Sequence, residues 1–543
     1  MNGFWSAALL AISSPSPSPH PNVPKSPVLL PPSPIGAINE ADFLLSLLVW
    51  APTIGAIICV LVPNLRGEHD STIRLVAFWA SLVSMAVALS GYIRFGLFQS
   101  GLQMPENRPW MGALGTHYQL GLDGVSAPLV LVCDAVFIVV VLASWGYRGP
   151  TKAHFALLLA VETAVNGLLV SQNLLMFLVF WQGMAFAVYL LTAVSAEDRN
   201  GHWANRYLAY EAVGGALMLL GMVIAGYGQG HAESLSQLAT PHYQPFDVLQ
   251  YVSFVFWLAA CMIRMGAFPL HRGMLSGLRA APAGVDVLLA SVVGSMGGYG
   301  LIRLNLAFDP ASAKLQLVLL LLAAVCVAVG GLRSLASDRL RASAGWVVSA
   351  SAGLILFAVG SLTPLGINGA VLLIFARIPS LALWMAAVRM WQERNRDPGQ
   401  PAANGLGRVI PGLGACTLVA GLSLLGMPGS AGFIGLWMSV LGVYQNHRFM
   451  SAALLVALIV LLAAVVDIWR RHFFGTASPA RRCPRLTVGD SWMVGVLVGF
   501  VVWFGLFPSG ISLDGVPIFD QGVVNVTNQA VVGISQPYTA ASR

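Results

Sequence analysis

Charge is scarce in this sequence. Of its 543 residues only 9% are Asp, Glu, Lys or Arg, against 57% hydrophobic, which excludes a soluble domain of ordinary usage, where roughly a quarter of residues are charged. Lysine is scarcer still, with Lys25, Lys152 and Lys314 the whole supply. Cysteine is sparse and carries no metal pattern. Cys59, Cys133, Cys261, Cys326 and Cys416 fall within apolar runs, Cys483 lies in a basic stretch, and no C-x-x-C spacing occurs, so the chain offers no ligand set for an iron–sulfur cluster and no metal site. No G-x-G-x-x-G opens a helix after a strand, and no Walker-type loop appears. Any redox chemistry therefore belongs to partners.

Long apolar runs are what the sequence has. They recur at about 43–63, 74–97, 127–147, 153–171, 174–194, 207–227, 250–270, 284–305, 315–333, 343–362, 367–391, 409–446 (interrupted), 450–470 and 490–507, each long enough to cross a hydrocarbon core of about 30 Å as a helix. The predicted fold is all-α, a polytopic membrane bundle of about 14 helices. Arginine and lysine set its orientation, because short cytoplasmic loops retain them. Loops after odd-numbered spans are rich in them, from Arg66 and Arg74 through Arg333, Arg339 and Arg341 to the run between Arg470 and Arg485. Loops after even-numbered spans hold only Arg94, Arg108, Arg303, Lys314 and Arg448. An even span count then puts both termini on the non-cytoplasmic side of an inner (cytoplasmic) membrane. The formal net charge of +7 is a topology signal, not a nucleic-acid footprint, since it is spread over many short loops. Residues 1–36 read as an apolar start and a Pro/Ser-rich disordered tail, residues 40–510 as the transmembrane domain, and residues 511–543 as a non-cytoplasmic tail.

Two prolines, each beside glycines, read as breaks in a spanning helix. In MIRMGAFPLHRGML, Pro269 follows Arg264 and precedes His271 and Arg272; in LLGMPGSAGFIG, Pro428 interrupts an overlong apolar region. A proline removes a backbone donor, and the freed groups survive in lipid only where protein or a water-filled cavity satisfies them. Paired breaks in two halves point to two inverted repeats, with an ion path at the breaks. A plain proline kink packed by neighbours is the competing reading of each break.

The motif order resembles a known family. WMGALGTHYQLGLDGVSAPLVLV, NLLMFLVFWQGMAFAVYLL, MIRMGAFPLHRGML followed by Ala281 and Pro282, VVGSMGGYGLIR, LLGMPGSAGFIG and RHFFG are similar to the antiporter-like subunit M family of proton-pumping NADH-quinone oxidoreductase, respiratory complex I, over roughly residues 40–510. The resemblance implies a membrane-arm subunit of that translocase, a respiratory-chain enzyme that couples electron transfer to proton translocation. It implies that NADH, quinone, flavin and iron–sulfur clusters lie in partner subunits and that this chain's own partners are other subunits of the complex and the lipid bilayer. Cation/proton antiporters of the Mrp type and membrane subunits of related hydrogenases or carbon-uptake complexes share the fold. A non-conducting spacer is a third reading.

Departures from the family pattern fall on its channel residues. The resemblance places an aspartate at Asn173, a glutamate at Gln182, a lysine at Arg264, a second lysine at Ser295, a glutamate at Leu436, and histidines at Ala350 and, approximately, Arg377. A proton relay needs groups that gain and lose protons near ambient pH. Glutamine and leucine do not titrate, and arginine keeps its proton. The ionisable candidates left within or beside spans are Glu162, Glu211, Arg264, His271, Asp286 and Arg377. Two readings stay open for Glu211 and Asp286, as proton stations or as the fixed counter-charge of Arg264. Asp467 lies close to Arg470 and Arg471 and reads as a surface pair, while His271 reads either as lining the break or as capping a helix end.

Overall fold

The computed structural model describes residues 43–64, 69–95, 102–111, 116–194, 201–228, 248–282, 284–305, 309–394, 407, 410–474, 486, 488–506, 512–513 and 516–517. The N-terminal tail expected over residues 1–36 and most of residues 511–543 lie outside this range. Apolar side chains all round a helix, instead of along one stripe, suit burial in lipid or in a large core, and helices of that kind dominate. They are α1 (Leu44–Leu61), α2 (Asp70–Arg94), α3 (Ser126–Ala143), α4 (Thr151–Val170), α5 (Leu174–Val194), α6 (His202–Gly228), α7 (Val248–Met265) and α8 (Arg272–Ala280). There follow α9 (Val285–Leu304), with π-helical turns at Leu289–Val293 and from Leu301, then α10 (Asp309–Leu335), α11 (Leu340–Val359), α12 (Pro364–Arg394), α13 (Pro411–Leu424), α14 (Gly432–Asn446), α15 (Arg448–Ile468) and α16 (Val488–Leu506). Thirteen helices among the described residues are long and apolar enough to span a membrane. The broken pair α13 and α14 supplies a fourteenth crossing.

The central stretches of α9 and α12 are buried throughout and form the middle of the bundle. At its margins α1, α2, α15 and α16 expose Leu61, Trp79, Ile459 and Trp492, the outward apolar faces that a bilayer covers. A β-hairpin of β1 (Gln103–Met111) and β2 (Thr116–Leu122) departs from the all-α expectation. It has a structural task. Buried Glu106 on β1 accepts hydrogen bonds from Leu45 N at 2.8 Å and Ser46 N at 3.1 Å, so its carboxylate meets the positive end of α1, where helix N–H groups lack partners. Two further strands, β3 (Ser512–Leu513) and β4 (Val516–Pro517), pair near the C-terminus.

Both expected breaks are present. The seventh crossing is α7 then α8, and the twelfth is α13 then α14. Each is the fourth member of a five-crossing series, and an offset of five crossings means that equivalent elements enter from opposite faces, which is an inverted repeat. The breaks are built alike. Gly266 has φ +70° and Gly426 φ +67°. In the first, Ala267 N donates to Met262 O and Gly266 N to Ile263 O; in the second, Met427 N donates to Leu422 O and Gly426 N to Ser423 O. This double pattern with a left-handed glycine is the Schellman ending, which satisfies carbonyls that the stopped helix would otherwise leave bare.

A side chain at either glycine is therefore expected to destabilise the fold. Left-handed backbone costs an L-residue about 1–2 kcal/mol, and a new Cβ would lie 2.6 Å from Met274 Cβ at Gly266 or from Leu436 Cδ2 at Gly426. Thermal unfolding in detergent should place Gly266→Ala and Gly426→Ala below the parent. Gly183→Ala, in a helix with open space around the new methyl, should equal or exceed it.

Candidate functional site

The Schellman ending puts Arg264 in the last turn of α7, where exposed carbonyls favour a cation. The side chain is fully buried. Its Nε donates to Glu211 Oε2 on α6 at 2.7 Å, its Nη2 donates to Trp181 O on α5 at 3.0 Å, and its guanidinium lies 4.3 Å from the centroid of the Trp181 ring. Three helices thus converge on one cation. Among the described residues Glu211 Oε1, Arg264 Nη1 and Gln182 Oε1 have no hydrogen-bond partner, leaving polar atoms that water can bridge.

Gln182 lies against Gly215, which is one helical turn beyond Glu211 on α6. The carboxylate that the family resemblance assigns to α5 is thus supplied from α6, and Glu211 resolves the choice of counter-charge for Arg264. Asp286 pairs elsewhere, 3.7 Å from Arg341 at the start of α11. Asn173, where the resemblance gives an aspartate, accepts hydrogen bonds from Leu175 N at 2.8 Å and Met176 N at 3.3 Å. An amide oxygen does this capping as well as a carboxylate does, so the lost charge costs α5 little.

In the second half Arg377 on α12 is buried and donates from Nε to Ser351 Oγ at 3.0 Å, from Nη2 to Val348 O at 3.3 Å and from Nη1 to Ser295 Oγ at 3.5 Å. Ser295 is where the resemblance has its second lysine. The positive charge is still present in this place, but it arrives from α12 and is an arginine. Among the described residues no carboxylate contacts it. Beside it a cavity of about 10 Å³, room for roughly one water, is lined by Ser351, Arg377, Ser423 and Gly432. Ala350 packs on Gly330, and Leu436 lies against Gly426 at the second break. In the matching Schellman geometry the counterpart of Arg264 is Leu424, so the second break holds no charge.

His271 occupies the first position before α8, stacked on Phe268 and tilted over Trp346 at 4.7 Å, with no side-chain cap bond to the helix. It lines the break and does not cap. Asp467 accepts from Arg471 Nε at 2.8 Å in a partly exposed pair, as its spacing suggested. Glu162 on α4 is buried and accepts from Ser81 Oγ at 2.6 Å.

Sequence reasoning missed two sites. Asp134, fully buried in the middle of α3, accepts from Ser84 Oγ at 3.0 Å; a lone aspartate inside VLVCDAVFIVV was signal enough. Asp123 and Arg303 form the other. Arg303, read as a loop residue, belongs to the end of α9, pairs with Asp123, and donates to Tyr299 Oη at 2.9 Å. Asp123 Oδ1 also caps α3 through Val125 N and Ser126 N. Burial opposes its charge, but Arg303 and these donors outweigh burial and hold its pKa below the ordinary aspartate value.

The model of the NADH:quinone oxidoreductase/Mrp antiporter transmembrane region matches residues 171–462, which contain both broken helices, Glu211, Arg264, Ser295 and Arg377. The chain belongs to this family. Among curated relatives, NAD(P)H-quinone oxidoreductase chain 4 1 of Synechococcus sp. strain JA-2-3B'a(2-13) is 28% identical over 451 residues, covering 81% of this chain and 84% of the relative. A chain of respiratory complex I from Thermus thermophilus has a TM-score of 0.76 at 21% identity, covering 90% of this chain and 99% of that one. A chain of the Mrp complex from Dietzia sp. DQ12-45-1b reaches 0.79 at 17% identity, covering 93% and 99%. At these identities the two structures establish the fold.

If Glu211 and Arg264 act as one unit, removing either partner leaves a buried unpaired charge. Glu211→Gln and Arg264→Met should each cost about 3–5 kcal/mol, whereas the double change should cost much less than their sum. Unfolding of the four forms in detergent measures the coupling, and strict additivity would refute it.

Proposed function

We propose that this chain is a membrane-arm subunit of a proton-pumping NADH-quinone oxidoreductase of the complex I type, and that the family's lysine-based proton route through it is closed. The family match and the chain 4 relatives support the first part. The second rests on one observation, the Arg264–Glu211 pair. In the usual route a glutamate attracts a buried lysine and so alters its proton affinity. Two unit charges about 4 Å apart at an effective dielectric near 20 interact by about 4 kcal/mol, some three pKa units. Lysine converts that energy into proton uptake or release. Arginine does not, because its guanidinium holds its proton throughout the physiological range. Glu211 and Arg264 then fasten α5, α6 and α7 together, and Arg377 supplies a fixed charge next to Ser295.

On this reading residues 40–510 are the antiporter-like domain, both termini face away from the cytoplasm across the inner membrane, and the redox groups stay in partner subunits. Electron transfer there is coupled to proton movement by the complex as a whole. An Mrp-type antiporter is the second reading, favoured by the fold likeness to the Dietzia chain. Subunits that co-purify with the native chain separate the two, since only the first reading requires flavin and iron–sulfur proteins among them.

Restoring the titratable set tests the closed route. Gln182→Glu, Arg264→Lys and Ser295→Lys singly should leave protons pumped per electron pair unchanged in reconstituted complexes, and the three together should raise it. A yield that the triple change leaves flat, with assembly intact, would count against the proposal.

A further inference from the structure

We infer that Asp134 and Glu162, buried together where α2, α3 and α4 meet, form a carboxyl pair that holds a proton. The inference stands on the geometry of this cluster and holds whether or not the subunit passes protons on.

Helical spacing assembles the cluster. Ser81 and Ser84 lie three residues apart on α2, and Glu162 and Asn166 lie four apart on α4, so each pair shares a helix face. Asp134 comes from the middle of α3, and all five side chains are fully buried. Ser81 Oγ donates to Glu162 Oε2 at 2.6 Å and Ser84 Oγ to Asp134 Oδ2 at 3.0 Å. Asn166 Nδ2 donates to Ser84 Oγ at 3.0 Å, and its side chain also reaches Asp134. Each serine has one donor, and both are spent. Three oxygens are left over: Asp134 Oδ1, Glu162 Oε1 and Asn166 Oδ1 are buried without a hydrogen-bond partner among the described residues.

The cluster therefore has a surplus of acceptors and a shortage of donors. The two carboxyl groups lie close enough to interact electrostatically, and among the described residues no arginine, lysine or histidine contacts either one. Neighbouring elements bring no cation. The Cys133 thiol adjoins Asp134, and the Thr53 and Thr163 hydroxyls of α1 and α4 bond each other at 2.8 Å. Cys59 on α1, Tyr92 on α2 and His154 on α4 lie farther along their helices, while Arg389 of α12 binds the far end of α3 at Ala143 O. Two ionised carboxylates side by side in a dry site are not sustained. One proton removes a unit of charge and turns an acceptor oxygen into the missing donor, free to bond the oxygens left over. A hard metal cation would need about six oxygens and bring no donor.

Infrared spectroscopy of the purified complex tests this. At neutral pH the wild type minus Asp134→Asn/Glu162→Gln difference should contain the carbonyl stretch of one protonated carboxyl group, shifted in deuterium oxide and lost in a single step, the upper of the pair's two coupled titrations, as pH rises. A difference that contains only carboxylate bands would overturn the inference. So would a band that changes when sodium replaces choline at constant pH, which would make the occupant a metal ion. Should the double variant fail to assemble, Ser81→Ala removes only the donor to Glu162 and must shift that band; an unshifted band refutes the pair. Proton pumping is not the readout, so either outcome leaves the closed-route reading of Arg264 to its own test.

Discussion

A guanidinium buried in the last turn of a broken transmembrane helix determines much of the first half of this bundle. Arg264 cannot be left bare at that depth, because an isolated charge in a medium of low dielectric is far costlier than a paired one. It is held by Glu211 from α6, by the Trp181 carbonyl and ring from α5, and by the carbonyl end of its own helix α7. The Schellman ending at Gly266 stops α7 at the turn where this arrangement closes. Packing, backbone geometry and electrostatics here describe one junction.

The same logic explains which substitutions the fold has accommodated. Where the family resemblance has a carboxylate on α5 stands Gln182, and the neighbouring helix α6 places Glu211 on Arg264. Where it has a lysine on α9 stands Ser295, which Arg377 reaches from α12. At the first break the cation stays on α7 as Arg264 and its counter-charge comes from α6. The remaining ionisable groups fall into separate classes: Asp286 with Arg341 and Asp123 with Arg303 are ion pairs that tie helices, whereas Asp134 and Glu162 share a site with no cation.

Most of the architecture was legible in the sequence because lipid enforces it. Apolar runs of spanning length, basic loops and two proline breaks are direct consequences of a solvent that satisfies no backbone groups. Pairing was less legible. Arg264 announced its need for a partner, yet Glu211 and Asp286 were equally eligible until the helices were seen to place one beside it and the other beside Arg341. Asp134 was overlooked although it stands alone in an apolar run, and the β-hairpin was hidden because its strands QMPENRPWM and THYQLGL lack clean alternation. Glu106 reveals its task only when α1 is seen to begin at it. That Glu211 reaches Arg264 from α6 and Arg377 reaches Ser295 from α12 are three-dimensional facts that no single motif contains.

On the proposed reading, this bundle keeps the task of holding helices together at the break and gives up that of exchanging protons there. The most direct measurement is the proton yield of complexes that carry Glu211→Gln with Arg264→Met, a neutral pair of similar size. If the pair is a fixed fastening, the assembled complex keeps its full number of protons pumped per electron pair. If that number falls by this subunit's share while assembly and electron transfer are intact, protons travel through Arg264 and Glu211, and the account is contradicted.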